Sequence, residues 1–168
     1  NGETEPGAVG NELKEKNIVL NIATKLGALL NGRGISIKYS RTTDTYLSLE
    51  ERARLANAWG ADLFVSIHAN SATSSVRGTE CYTHPTANTA TKTLSGNVSR
   101  AIASKFGISN RGHKEANFAV LRLSNMPAIL VETAFISNSS DANLLNTRQS
   151  DFANAIFNEI YNYFGNPV

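Results

Sequence analysis

Cysteine is almost absent from this chain, with Cys81 the only one in 168 residues. No internal disulfide can form, and a zinc site built from paired cysteines is excluded. Long apolar runs are missing as well, and none approaches the roughly 20 residues of a membrane-spanning helix. The first residues carry neither the basic nor the apolar region of a secretory signal, so export would rely on a signal removed or lying upstream. Charge of one sign is equally scarce. Sixteen Lys and Arg stand against 14 Asp and Glu, a net charge of +2, and the basic residues are scattered. Nucleic acid is therefore not the expected partner, while an anionic polymer stays compatible. Internal repeats, low-complexity tracts and a second domain boundary are all lacking.

What the chain does hold is enough apolar material for a core: 41% of its residues are hydrophobic and 18% charged, the balance of one soluble globular domain. Between residues 13 and 30, Ile18, Leu20, Ile22, Leu26, Leu29 and Leu30 recur at helical spacing, and Asn31-Gly32 follows as a stop, which predicts a first helix. Ile35, Ile37 and Tyr39 alternate with polar neighbours as a half-buried strand would. Ser48 and Glu51 stand at capping-box spacing and open a second helix, with Leu49, Ala53, Leu55, Ala56 and Trp59 available for its buried face. A strand over 61–70 passes through His68, a Ser/Thr-rich loop spans 71–75, and a strand is predicted over 77–84. A helix over 88–107, a strand over 117–123, a strongly apolar strand over 127–135 and a helix from about 150 to 164 complete the pattern. Strands alternating with helices predict a single α/β domain, a sheet covered by helices.

Three residues stand out as carriers of chemistry. His68 in "FVSIHANS" is delivered by an apolar strand to the sheet edge where α/β folds build their sites, although a polar residue closing a strand is the plainer reading. Glu132 ends the run "AILVE"; in a partly dry cleft its carboxyl would have a raised pKa and act as a base near neutral pH, and on a wet strand end it would do neither. Glu15 is less distinctive, because the helix dipole alone favours a glutamate in a first turn.

The ordered set "NELKEKNIVLNIATKLGALLNGRG", "YSRTTDTYLSLEERARLAN", "ADLFVSIHANS", "RGTECY", "RGHKEANFAVLR" and "MPAILVETAFISNSSDANLL" resembles the zinc-dependent N-acetylmuramoyl-L-alanine amidases of the type-3 amidase family, which are bacterial cell-wall hydrolases. The resemblance covers nearly the whole chain. It implies a mostly parallel twisted sheet flanked by helices on both faces, and one zinc ion with Glu15 and His68 among its ligands. It also implies Glu132 as the catalytic glutamate, peptidoglycan as the substrate and a site of action outside the cell or in the wall of a bacterium. The reaction implied is hydrolysis of the amide between N-acetylmuramic acid and L-alanine, by a zinc-activated water with Glu132 as general base. Asn70, Glu80 and Arg122 are candidates for lining the substrate groove, each equally readable as a structural strand-end residue.

One departure matters. The family opens with a strand and a Gly-His-Gly-Gly turn whose histidine is another zinc ligand, and this chain opens "NGETEPGAVGN". That strand, turn and histidine are expected upstream of residue 1, because His84 before a proline and His113 in "RGHKE" are poor substitutes. Two other readings follow. One is a metal-free wall-binding or regulatory relative. The other makes Glu80 and Glu132 a glycosidase pair with carboxyls roughly 5 to 9.5 Å apart, which leaves His68 unexplained. Within the amidase reading, Phe64, Val65 and Ile67 are expected between helix layers, holding the strand rigid while Ser66 and Asn70 orient the His68 ring.

Overall fold

The computed structural model describes residues 9–10, 13–40 and 48–165. Its elements run β1 (Val9–Gly10), β2 (Leu13–Lys14), α1 (Glu15–Asn31), α2 (Leu49–Trp59), β3 (Phe64–Asn70), β4 (Thr79–Thr83), α3 (Thr89–Phe106), β5 (Asn110–Glu115), α4 (Ala119–Arg122), β6 (Ala128–Phe135), α5 (Ser139–Thr147) and α6 (Gln149–Tyr163). Among the described residues, strands β1 and β2 pair only with each other. The main sheet has the order β3-β6-β4-β5, with β3 parallel to β6, β4 parallel to β5, and the two pairs joined where β4 and β6 run antiparallel. This is the α/β architecture expected, a mostly parallel sheet among helices.

Alternation along the strands sorts the side chains onto two faces. Cys81, Ile129 and Val131 point to the face under α1, α3 and α6, where Ile18, Ile22, Leu26 and Leu30 of α1 meet Leu94, Val98 and Ile102 of α3 and Phe152, Ile156 and Ile160 of α6. The i, i+4 spacing of the α1 set puts all four on one stripe, each worth about 1.5–3 kcal/mol when removed from water. On the opposite face Leu130 and Ala128 pack with Val120 and Leu121 of α4. Helix α2 is tied to that side by Asn57, which donates to Leu123 O at 2.9 Å and accepts from the Asn125 amide at 2.7 Å. Central β6 is buried along almost its whole length, and its run of apolar and β-branched residues suits a strand covered on both faces.

Local chemistry fixes the helix ends. Ser48 accepts from the Glu51 amide and Glu51 accepts from the Ser48 amide, the reciprocal box read from their spacing, and α2 stops at Gly60 with φ +75°. Asn88 caps α3 by accepting from Thr91 N at 2.8 Å.

The structure differs from the sequence reading in five places. Residues 35–39 form no strand: Ile35 and Ile37 pack on the core, but the Ile35 amide bonds back to Leu30 O, and Tyr39 donates to Thr24 O from the space that a Cβ on Gly27 would need. That segment folds onto α1 and pairs with no strand among the described residues. Residues 119–122 are helix α4, because adjacent Val120 and Leu121 are both buried, a pattern a strand cannot satisfy on one face. The strand of this region is β5, which is polar and lies on the edge of the sheet; helix α5, capped by Asn138, was not foreseen. Leu49 and Trp59 are 43% and 44% exposed, and α2 buries only Ala53. Phe64, Val65 and Ile67 are half-buried, since β3 is an edge strand among the described residues. Residues 41–47 of the motif "SRTTDTYLSLEERARLAN" lie outside the described residues.

Candidate functional site

Strand register gathers the site. His68 on β3 is the parallel partner of Glu132 on β6, and Glu80 on β4 faces Glu132 from the other side. One row across three strands thus carries an imidazole and two carboxyls on the same face of the sheet. Thr133 holds β6 to β3 by donating its hydroxyl to His68 O at 2.8 Å.

Helix α1 adds a fourth group. Glu15, its first residue, turns Oε2 toward the His68 ring, 3.2 Å from Nδ1, and accepts from the Ala69 amide at 3.1 Å. The other ring nitrogen, Nε2, stands 2.9 Å from Ser66 Oγ. Ser66 is two residues before His68 on the same strand face, so the strand's own alternation supplies the hydroxyl that orients the ring. Asn70 does not share that task, because its amide nitrogen donates to Glu80 Oε2 at 3.0 Å.

The two facing carboxyls are pushed in opposite directions. Burial drives the Glu132 pKa from 4.5 up to about 7; nearby His68 lowers it, and Glu15 and Glu80 raise it further. Glu132 Oε1 is buried with no hydrogen-bond partner among the described residues. Glu80 is only 3% exposed, and burial alone would raise its pKa too, but donation from Lys114, Tyr82 and Arg111 outweighs burial and holds it below the ordinary carboxylate value. Its Oε1 accepts from Arg111 Nε at 2.9 Å and Lys114 Nζ at 2.6 Å, and its Oε2 from Tyr82 Oη at 2.8 Å and Asn70. Their surroundings thus set the two carboxyls apart, Glu132 raised toward neutral pH by burial and Glu80 held ionised by its donors. In a glycosidase pair Glu80 would be the ionised nucleophile or base beside an acidic Glu132, and the four donors on its two oxygens leave neither of them free to attack a sugar or a water.

Arg122 is not brought to this cluster. It lies exposed on α4 and donates to Asn117 O and Oδ1. His84 bonds Thr86, and His113, in register with Cys81, points to the opposite sheet face and bonds Ser95 at 2.7 Å.

Among the described residues no group of three or more His, Cys, Asp or Glu side chains could hold a metal ion. Glu15 and His68 do present two donors of the right kind. Tetrahedral zinc ligands at about 2.0–2.1 Å stand about 3.3 Å from each other, and the observed separation of Glu15 Oε2 from His68 Nδ1 is 3.2 Å. The pair therefore fits two positions of such a shell.

Arg111, Lys114 and Tyr82 are the site residues that sequence reasoning missed. The signal available was the alternation of "TECY" and "RGHKE", which would have put Tyr82 and Lys114 on the Glu80 face once β5 was recognised as a strand.

Fold and site together define an α/β layer protein with an imidazole and two carboxyls in one row across its sheet. The family follows from comparison. The N-acetylmuramoyl-L-alanine amidase family matches residues 1–162, and the chain belongs to it. It is 44% identical over 150 residues to the sporulation-specific N-acetylmuramoyl-L-alanine amidase of Bacillus subtilis (strain 168), covering 87% of this chain and 57% of that protein. It is 40% identical over 146 residues to the N-acetylmuramoyl-L-alanine amidase LytC of the same organism, covering 86% of this chain and 29% of that protein. The chain thus spans little more than half of the first relative and under a third of the second. The crystal structure of the N-acetylmuramoyl-L-alanine amidase from Clostridium difficile 630 superposes with a TM-score of 0.88 at 36% identity, over 95% of this chain and 94% of that one.

Proposed function

We propose that this chain hydrolyses the amide bond between N-acetylmuramic acid and the L-alanine of the peptidoglycan stem peptide, acting in or outside the bacterial cell wall, with Glu132 as general base and Glu15 and His68 as ligands of one zinc ion. The third protein ligand in this reading is the histidine that the family resemblance places ahead of Glu15. The observation that carries the reading is the Glu132 carboxyl: its pKa is raised to about 7, its Oε1 is buried without a hydrogen-bond partner among the described residues, and it is in register with the imidazole that Glu15 faces.

Bound there, zinc supplies a Lewis acid that brings the pKa of water to about 7 and polarises a carbonyl. The chain's own residues do the rest. Glu132, its carboxyl made more basic by burial, takes the proton of the attacking water and delivers it to the departing L-alanine nitrogen. One carboxyl serves both steps because the proton it accepts is the one it returns. Ser66 fixes the ring plane of His68. With the ring proton on Nδ1 it donates to Glu15; were Glu15 and His68 to hold the cation, the proton would be on Nε2 and Ser66 Oγ would accept it, keeping the ring oriented.

The test is digestion of peptidoglycan with and without a chelator. Free L-alanine amino groups that appear only without chelator are expected, and new reducing ends in their place would overturn the reading. A metal-free, non-catalytic relative is the second reading, favoured by the absence of a three-donor group among the described residues. Stoichiometric zinc in the purified protein would exclude it.

A further inference from the structure

The Glu80 cluster has more positive charge than it needs. Two cations, Arg111 and Lys114, share one carboxylate oxygen, which leaves a surplus of one positive charge beside the row that holds Glu132. Of the two, Arg111 is aimed by the backbone. Between Thr79 and Glu80 the β4–β5 register slips, so that Thr79 pairs with Asn110 and Glu80 with Gly112, and Arg111 is the extra residue between them. Gly112 takes up the slip at φ +84°, a left-handed conformation that favours glycine. A bulge of this kind turns a side chain out of the strand's alternation, and such bulges gather beside active sites.

The guanidinium is held on two sides. Its Nε donates to Glu80, and its Cζ lies over the Phe135 ring, 5.1 Å from the ring centre. Neither Nη1 nor Nη2 has a hydrogen-bond partner among the described residues, and the side chain is 36% exposed. A planar fork already ordered by a buried carboxylate and an aromatic face, with its two terminal nitrogens open, matches the geometry of a carboxylate. Strand spacing sets its distance from the chemistry. Glu132 on β6 and Arg111 on β5 are two strands apart, about 10 Å, which an extended peptide spans in about three residues.

We propose that Arg111 forms a subsite for a free carboxylate on the stem peptide, one or two residues beyond the L-alanine whose nitrogen meets Glu132, and that Glu80 is the positioning residue that holds the fork. The proposal rests on the amidase reading. It also orients the substrate, with the peptide running from β6 across β4 to β5 and the glycan on the β3 side.

Two soluble muramyl peptides test it, one with free stem carboxylates and one with the same groups as carboxamides. The wild type is expected to favour the carboxylate form by about tenfold or more in kcat/KM, expressed in KM, as a charged hydrogen-bonded pair implies. Arg111→Gln should bring that ratio close to one, Arg111→Lys should restore part of it, and Glu80→Gln should lower it while leaving Arg111 in place. Equal use of both substrates by the wild type, or an undiminished preference in Arg111→Gln and Arg111→Lys, overturns the subsite. If the wild type cleaves neither peptide, the amidase reading fails by itself. The subsite is then read by calorimetric titration of the same two peptides into the wild type and Arg111→Lys. A carboxylate preference weakened in the variant supports it, and no preference or no binding overturns it.

Discussion

Glu132→Gln should make the metal-free protein more stable at pH 8 and leave it unchanged at pH 4. The carboxyl has its folded-state pKa raised from 4.5 to about 7, chiefly by burial. A raised acid binds more protons folded than unfolded between those two values, so stability falls as pH rises through that window and levels off above it. Each pKa unit is worth about 1.4 kcal/mol, which puts the full loss at about 3 kcal/mol. Glutamine keeps the shape and carries no charge at any pH, so it escapes the loss. Guanidinium unfolding in the presence of chelator, at pH 4 and pH 8, measures the difference directly. Wild type and variant should agree within about 0.5 kcal/mol at pH 4 and separate by about 3 kcal/mol at pH 8. Parallel stabilities across that range would mean that Glu132 is not strained by burial, and the account of it as a base tuned by desolvation would fail with it.

Three further outcomes are expected. Glu132→Ala should keep near-stoichiometric zinc and lose about 10²–10⁴-fold in turnover; the wild-type acid limb in kcat/KM should lie at or below about pH 7, because a bound cation beside Glu132 can only pull its pKa down, and a variant of undiminished rate would remove Glu132 from the mechanism. His68→Ala should strip the metal at a cost of about 1–3 kcal/mol, since the ring is 27% exposed and what it loses are its bonds to Glu15 and Ser66; zinc retained, or unfolding like a large core cavity, contradicts the ligand assignment. Asp141→Ala should cost about 3–5 kcal/mol by thermal or denaturant unfolding, because the fully buried carboxylate accepts from the Gly78 and Phe135 amides and faces Arg77 at 3.2 Å; a loss below about 1 kcal/mol would show the contacts to be incidental.

The parts of the fold that sequence patterns revealed are those where one local rule acts alone. The stripe Ile18, Ile22, Leu26, Leu30 has a single solution, a helix with one buried face, and Ser48 with Glu51 has a single solution at a helix start. Where two rules compete, the pattern was ambiguous. Phe118, Val120 and Leu121 fit a short strand as well as a helical turn until Phe118 O accepts from the amides of Leu121 and Arg122. Ile35 and Ile37 have strand alternation, but a strand also needs a neighbour to pair with, and periodicity carries no information about that. Strand β5 was invisible for the converse reason. On the edge of the sheet it buries little, so Asn110, Arg111, Gly112, His113, Lys114 and Glu115 show no apolar period at all.

The site divides along the same line. Each of its residues sits in a recognisable stretch of sequence, yet what each does depends on register, which is a property of pairs of strands. A slip of one residue between β4 and β6 would carry Glu80 to the helix-covered face with Cys81 and leave Glu132 without its facing charge. The same slip between β3 and β6 would separate His68 from Glu132. Asp141 guards against the first, because its carboxylate binds the Gly78 amide at the entry to β4 and the Phe135 amide at the exit of β6, setting the two strands' relative position from a helix that belongs to neither, while the Thr133 hydroxyl on His68 O ties β3 to β6. Gly78 is required on its other side: it has φ +122°, and a Cβ there would stand 2.8 Å from Ser109 O at the entry to β5. The row of His68, Glu132 and Glu80 therefore depends on a buried clamp at its margin as much as on the residues in it. The clamp and the row should be lost together when Asp141 is removed, the row by misregister and not by any change in its own chemistry.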